Sequence, residues 1–202
     1  IVPNTINFSN LEELKKNIIS AEKSKAGCIL ITAHVGSWEL LGKIFAKHAT
    51  IPFWALAKPH TKSLPNKILQ KMRSSFGIKV LWTGKNNYQR KMVNILKNKN
   101  WVGFVMDQRP KKNIGPEVDF LGQKTNFVSG PAAMAIKFQC PVIAAFCVRT
   151  RTNKYKIIST VMTPQSHAYK DTNTLTQHLA TLIHKTIKLY PESWAWNYKR
   201  WN

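Results

Sequence analysis

Apolar and polar positions alternate along this 202-residue chain with two periods. Short apolar runs, rich in β-branched and aromatic residues, occur at 27–33 (GCILITA), 52–58 (PFWALAK), 78–82 (IKVLW) and 101–106 (WVGFVM). Each is too short for a core helix and is bounded by polar residues, so each predicts a buried strand. The segments between them space their apolar residues at helical intervals: 11–23 (LEELKKNIISAEK), 37–48, 63–77 and 87–98. Ser9 with Glu12, or Asn10 with Glu13, reads as a capping box for the first of these. Glycine at position 77 stops the third.

After a polar loop with one short strand (107–127), the pattern predicts a helix over 129–139, with Ser129 as its cap. A hairpin of 141–150 and 154–162 follows, then a long helix over 172–190 stopped by Pro191. Strands alternating with helices imply an α/β layered fold: a mostly parallel sheet flanked by helices, finished by an antiparallel hairpin. The length fits a single domain, with residues 1–26 as an N-terminal amphipathic appendage.

In such sheets, ligands bind beyond the carboxyl ends of the strands. His34 stands just past one predicted strand and Asp107 just past another, so the two loops should open onto one crevice. Glu39 follows His34 by five positions, one turn into the next helix. From there a carboxylate can hold one imidazole nitrogen, fix the tautomer and stabilise the imidazolium formed during proton abstraction. Gly36 offers close backbone approach to a substrate, and the amides from Ser37 onward offer donors to an oxyanion. Spacing alone is weak evidence, because a His-x4-acid match arises easily by chance. No Ser or Cys stands in a nucleophile-elbow pattern, which favours direct transfer over a covalent enzyme intermediate. The other five histidines lack an acid at this spacing and read as surface or packing residues.

Charge changes the picture. There are 31 Lys+Arg against 9 Asp+Glu, a formal net charge of +22. Nucleic acid, an anionic membrane surface or an acidic protein each suits such a chain. Cys28, Cys140 and Cys147 lie in or beside apolar runs without metal-ligand spacing, and read as reduced, buried thiols. No apolar run approaches the ~18 residues of a membrane span. The chain opens on Ile1 rather than methionine, which leaves room for a targeting or membrane segment upstream.

Several ordered blocks together carry a resemblance. "HVGSWE" resembles the His-x4-Asp/Glu motif of the glycerolipid acyltransferase superfamily, and is closest to that of the late, Kdo-dependent lipid A acyltransferases. "AKPHTKSLPNKILQKMRSSFGIKVL", "VGFVMDQRP", "VDFLGQKTNFVSGPAAMA" and "YPESWAWNYKRW" are similar to further blocks of that family in the same order. The resemblance covers roughly residues 27–202. It departs where Tyr198 and Lys199 replace the usual His-Arg before the final Arg-Trp, and where His184 aligns with a frequent Glu. The family's N-terminal membrane helix has no counterpart in these residues.

The resemblance implies a glycerolipid-acyltransferase-like fold. It implies transfer of a fatty acyl chain from an acyl carrier protein thioester to a hydroxyl of a lipid A precursor, without metal or organic cofactor. His34 would be the general base and Glu39 its partner. Arg73, Asp107, Gln108, Gly36, Ser37 and Lys58 would bind substrate or organise the site. The enzyme would work at the cytoplasmic face of the bacterial inner membrane, peripherally or anchored by a segment outside this chain. The basic charge suits an acidic carrier protein, lipid phosphates and an anionic membrane surface.

Two alternatives remain at this stage: an acyltransferase with another glycolipid or phospholipid acceptor, and a basic nucleic-acid-binding domain. No nucleic-acid-binding signature supports the second, and no nucleic acid partner is expected. A lipid enzyme should gather its cations around an apolar groove beside His34, whereas a nucleic-acid binder should spread them in a stripe with exposed aromatics. Direct transfer predicts that labelled acyl donor alone leaves no stable covalent adduct. A stoichiometric acyl ester on Ser37 or thioester on Cys28, seen by intact-mass spectrometry, would contradict it.

Overall fold

The structure is a computed structural model that describes residues 6–84, 87–110, 114–198 and 200–201. In chain order the elements are β1 (Asn7–Ser9), α1 (Leu11–Glu22), β2 (Cys28–Thr32), α2 (Trp38–His48), β3 (Phe53–Ala57) and α3 (Ser63–Ser75). β4 (Ile78–Trp82), α4 (Tyr88–Lys97), β5 (Trp101–Val105), β6 (Glu117–Phe120) and β7 (Gln123–Asn126) follow. α5 (Gly130–Phe138), β8 (Val142–Arg151), β9 (Lys154–Met162) and α6 (Thr172–Leu189) complete the set.

Seven strands form one sheet in the order β1-β9-β8-β2-β5-β3-β4. Every pairing is parallel except β8 with β9. The layered, mostly parallel α/β sheet with an antiparallel hairpin is thus the architecture the hydrophobic pattern predicts. β2 lies at its centre, and all five of its residues are buried. Full burial on both faces is why such strands read as continuous apolar runs rather than alternating ones.

Side chains still divide by parity. Ile29 and Ile31 join the core under α4, α5 and α6, whereas Cys28 and Leu30 join the core under α1 and α2. Trp101, fully buried, packs edge-on against Phe45 at 4.8 Å in the second of these. Its indole N–H donates to Glu22 at 2.8 Å, and the same carboxylate accepts from Thr50 N–H at 3.0 Å.

The structure corrects three local expectations. Asn10 precedes α1 in the left-handed conformation (φ 62°) with no side-chain cap bond. Ser9 belongs instead to β1, a short edge strand parallel to β9, and its hydroxyl donates to Tyr155 O at 3.3 Å. Sheet pairing has claimed Ser9, and Asn10 makes the turn between β1 and α1. Ser129 likewise makes no cap bond, and a proline in the first turn of α5 sets the entry instead. The 107–127 loop holds two strands, not one: β6 and β7 form a separate antiparallel hairpin. Residues 111–113 of that loop lie outside the described residues.

Register then places the chemistry. Thr32 pairs with Val105 at the ends of β2 and β5. Two residues on from each, His34 and Asp107 leave the same sheet edge side by side.

The Glu22 contacts generate a stability prediction. Glu22→Ala leaves the buried Trp101 N–H without its acceptor and should cost about 1–3 kcal/mol. Urea unfolding should show a lower midpoint with an unchanged slope.

Candidate active site

His34 is held from two directions by Asp107. Its main-chain N–H donates to Asp107 Oδ2 at 3.1 Å, and its ring Nδ1 lies 2.8 Å from Oδ1. A third donor, the indole N–H of Trp194, reaches Oδ2 at 2.9 Å. Asp107 is only 3% exposed. A carboxylate buried that far needs several donors to offset lost hydration, and these N–H groups supply them. In the neutral imidazole, an Nδ1–H donating to this carboxylate leaves the lone pair on Nε2. No hydrogen bond occupies Nε2 among the described residues. Trp38 packs edge-to-face on the imidazole, centroids 5.0 Å apart, and limits its rotation.

Glu39 has a different partner from the one expected. Its two oxygens receive Arg73 Nη2 at 2.6 Å and Nε at 3.1 Å. The expected Glu39–His34 pair is therefore replaced by two separate pairs, His34–Asp107 and Glu39–Arg73. A bidentate guanidinium–carboxylate contact is geometrically specific and charge-assisted, and the imidazole nitrogen that Glu39 would hold is already bonded to Asp107. Arg73 Nη1 is buried and has no hydrogen-bond partner among the described residues.

Gly36 and Ser37 also depart from expectation. Gly36 adopts φ +62°, and a Cβ built there would sit 2.2 Å from Cys147 O. Its N–H donates to Ser193 O at 2.7 Å, and Ser37 N–H donates to Cys147 O at 2.8 Å. Both amides are used within the fold, so the close approach Gly36 permits is to β8 and not to a substrate. Among the described residues the free donors of this turn begin with Trp38 N–H, since Leu41 N–H is already bonded to Ser37 O.

The segment after α6 clamps the same loop. Val35 bridges to Trp194, and Ala195 N–H donates to His34 O at 3.0 Å. The residues alone did not reveal that Trp194 bonds Asp107. The only signal was the Trp-rich terminal block, which packs as much as it bonds.

His34 opens onto a cleft of about 540 Å³. Trp38, Leu56, Leu69, Phe104 and Val105 form apolar walls, and Lys58, Arg73 and Gln108 add polar groups. Gly36 and Ser37 are not among its lining residues, and Asp107 lies behind His34. A further void of about 40 Å³, bounded by Leu30, Gly42, Phe53 and Ile78, continues past the Glu39–Arg73 pair. It has room for only a few water-sized groups.

The three cysteines are buried and free. Burial pushes the Cys140 and Cys147 thiols up to about 12 and Cys28 further still, which disfavours a thiolate at any of them. Among the described residues no group of three His, Cys, Asp or Glu is placed to hold a metal ion, and no helix is long and apolar enough to cross a membrane.

The profile of the bacterial lipid A biosynthesis acyltransferases matches residues 4–202. The chain belongs to that family. It is also similar to the phosphatidylinositol mannoside acyltransferase of Mycobacterium tuberculosis strain H37Rv, 24% identical over 181 residues. The match covers 87% of this chain and 54% of that protein. The counterpart from strain CDC 1551 is 25% identical over 182 residues, with the same coverage. The chain thus spans about half the length of the curated relatives it matches.

The terminal block of this family member has a structural part to play. Arg200, 2% exposed, donates to Thr125 Oγ1 at 3.0 Å and Asn126 O at 2.8 Å, and its guanidinium lies over the Phe127 ring at 4.7 Å. It staples the chain end to β7. Tyr198, which stands where the family usually has a different residue, accepts a bond from Arg109 N–H at 3.1 Å. Lys199 lies outside the described residues. His184, at the frequent Glu position, accepts from Leu121 N–H at 3.4 Å, and burial lowers its proton affinity.

Gly36→Ala should destabilise the protein by about 1–3 kcal/mol, since it combines a positive φ with a backbone clash. Chemical denaturation should show the loss. A wild-type midpoint would mean that the loop relaxes freely away from β8.

Proposed function

We propose that this chain transfers a fatty acyl group from an acyl carrier protein thioester to a hydroxyl of a lipid A precursor, with His34 as general base. The observation that carries the proposal is the His34–Asp107 pair at a cleft whose lining mixes apolar side chains with cationic and polar ones. Family membership supports the acyl-transfer chemistry and the lipid acceptor. The acidic donor protein suits a chain of net charge +22.

The acceptor hydroxyl gives its proton to Nε2 as its oxygen attacks the thioester carbon. Asp107 orients the imidazole and stabilises the imidazolium that forms. The tetrahedral intermediate then collapses, the C–S bond breaks, and Nε2 returns the proton to the departing sulfur. The ester and the free carrier thiol are the products, and no acyl-enzyme is needed. Arg73 Nη1 and the first amides of α2, which have no hydrogen-bond partner among the described residues, are the donors closest in kind to what an oxyanion requires. Glu39 acts through Arg73, holding the guanidinium in place. Lys58 and Gln108, both lining the cleft, meet polar parts of the substrates. The enzyme works at an anionic membrane surface, on the cytoplasmic side where the acyl carrier protein is available.

A second reading stays within this chemistry. The mycobacterial relatives are named for a phosphatidylinositol mannoside, a glycolipid outside the lipid A series, which favours testing that acceptor class in parallel. The apolar walls beside His34 favour a lipid substrate over the nucleic-acid alternative.

The test is mass-spectrometric detection of acylated product from acyl carrier protein thioester and detergent-dispersed acceptors of both classes. His34→Ala should lose on the order of 10²–10⁴ in rate. Asp107→Asn should lose a comparable factor mainly in kcat, because it affects tautomer and charge rather than substrate contact. Glu39→Gln should lower activity through Arg73, with Arg73→Ala no less impaired. Near-wild-type turnover by a folded His34→Ala protein would sink the mechanism.

A further inference from the structure

Among the α-helices of the described residues, α3 is the one that contributes no buried side chain. Its Leu64 and Ile68 are 65% and 61% exposed. Four positions apart, they stack into one apolar stripe along the helix. Lys67 and Lys71, both exposed and also four apart, form the adjoining stripe. The opposite side turns inward, where Leu69 and Arg73 line the catalytic cleft. Single exposed apolar residues need no explanation, but an aligned pair beside a lysine stripe, on the wall of a functional cleft, does.

The position of α3 adds to this. It starts after the carboxyl end of β3, so Leu64 and Ile68 lie toward the same sheet edge as His34. On that edge Trp196 is 60% exposed, carried by the segment whose Ala195 N–H bonds His34 O. An exposed indole with its N–H satisfied internally, here by Pro191 O at 2.7 Å, suits the boundary between water and lipid.

We infer that α3 is an interfacial docking helix: Leu64 and Ile68 enter the acyl-chain boundary of an anionic bilayer while Lys67 and Lys71 engage its phosphates. Docking in this way sets the mouth of the cleft at headgroup level, where a lipid acceptor presents its hydroxyl. The inference deepens the membrane association proposed above and rests on the reading that the acceptor is a membrane lipid. The excess of 31 basic over 9 acidic residues favours an anionic surface. A stable protein interface takes roughly 800 Å² from each partner, more than one short apolar stripe presents. A bilayer needs only shallow insertion of such a stripe next to cationic side chains.

The test is cosedimentation of the 202-residue chain with vesicles of phosphatidylcholine, with or without phosphatidylglycerol. Wild type should bind the anionic vesicles and bind neutral ones far less. The double variant Lys67→Gln/Lys71→Gln should lose about thirtyfold in partition coefficient, the loss expected from two basic residues near an anionic surface. Leu64→Asp/Ile68→Asp should lose at least about tenfold. All four side chains are exposed, so circular dichroism and unfolding midpoints should match wild type. Both variants should acylate detergent-dispersed acceptor at the wild-type rate and slow only on vesicle-embedded acceptor. Undiminished vesicle binding by both variants overturns the inference. So does a change of oligomeric state in Leu64→Asp/Ile68→Asp with vesicle binding intact, which assigns the face to a second copy of the chain. Failure of the proposed reaction itself shows differently, as no transfer by wild type even in detergent.

Discussion

One buried carboxylate organises the sheet edge that carries the candidate site. Asp107 must be solvated by something, since it is almost wholly buried, and it takes three donors from two parts of the chain, His34 and Trp194. Each donor is thereby fixed. The main-chain N–H fixes where the chain turns after β2, the ring contact fixes the imidazole, and the Trp194 contact fixes the C-terminal segment. Loss of one donor leaves the carboxylate under-solvated and loosens the other two contacts. The coupling is physical: a shared acceptor in a low-dielectric site.

The Glu39–Arg73 pair serves a parallel purpose between helices. It joins α2 to α3, and α3 has no buried residue of its own to hold it against the sheet. The pair also separates the open cleft from the small apolar void beneath. The same helix presents its outer stripe to the surroundings, so the ion pair links the geometry of the site to whatever α3 rests on.

Much of the layout was legible in the residues. CILIT and WVGFV could be read as strands because their burial on both faces leaves no polar position to interrupt them, and FWALA and IKVLW because they are short, apolar-rich runs between helical segments, with Lys79 the one polar residue in the latter. His34 and Asp107 could be placed on one edge because each stands just past such a run. The capping box at Ser9 and Asn10 misled, because a short strand pairing with β9 outcompetes a local side-chain bond. The second strand of the β6–β7 hairpin was missed because its residues are polar and half exposed.

The chain by itself determined the alternation of elements, the basic charge and the types of residue at the strand ends. These follow from local periodicity and composition, which need no knowledge of neighbours. Only the tertiary structure decided which acid holds His34. Glu39 is near in sequence but is claimed by Arg73, 34 positions away, whereas Asp107, 73 positions away, is brought beside His34 by the β2–β5 register. It likewise decided that Gly36 packs against Cys147 and that Trp194 donates to the buried carboxylate. A hydrogen bond depends on distances between atoms, and between remote residues those distances exist only once the sheet has set its register and the chain has closed over it.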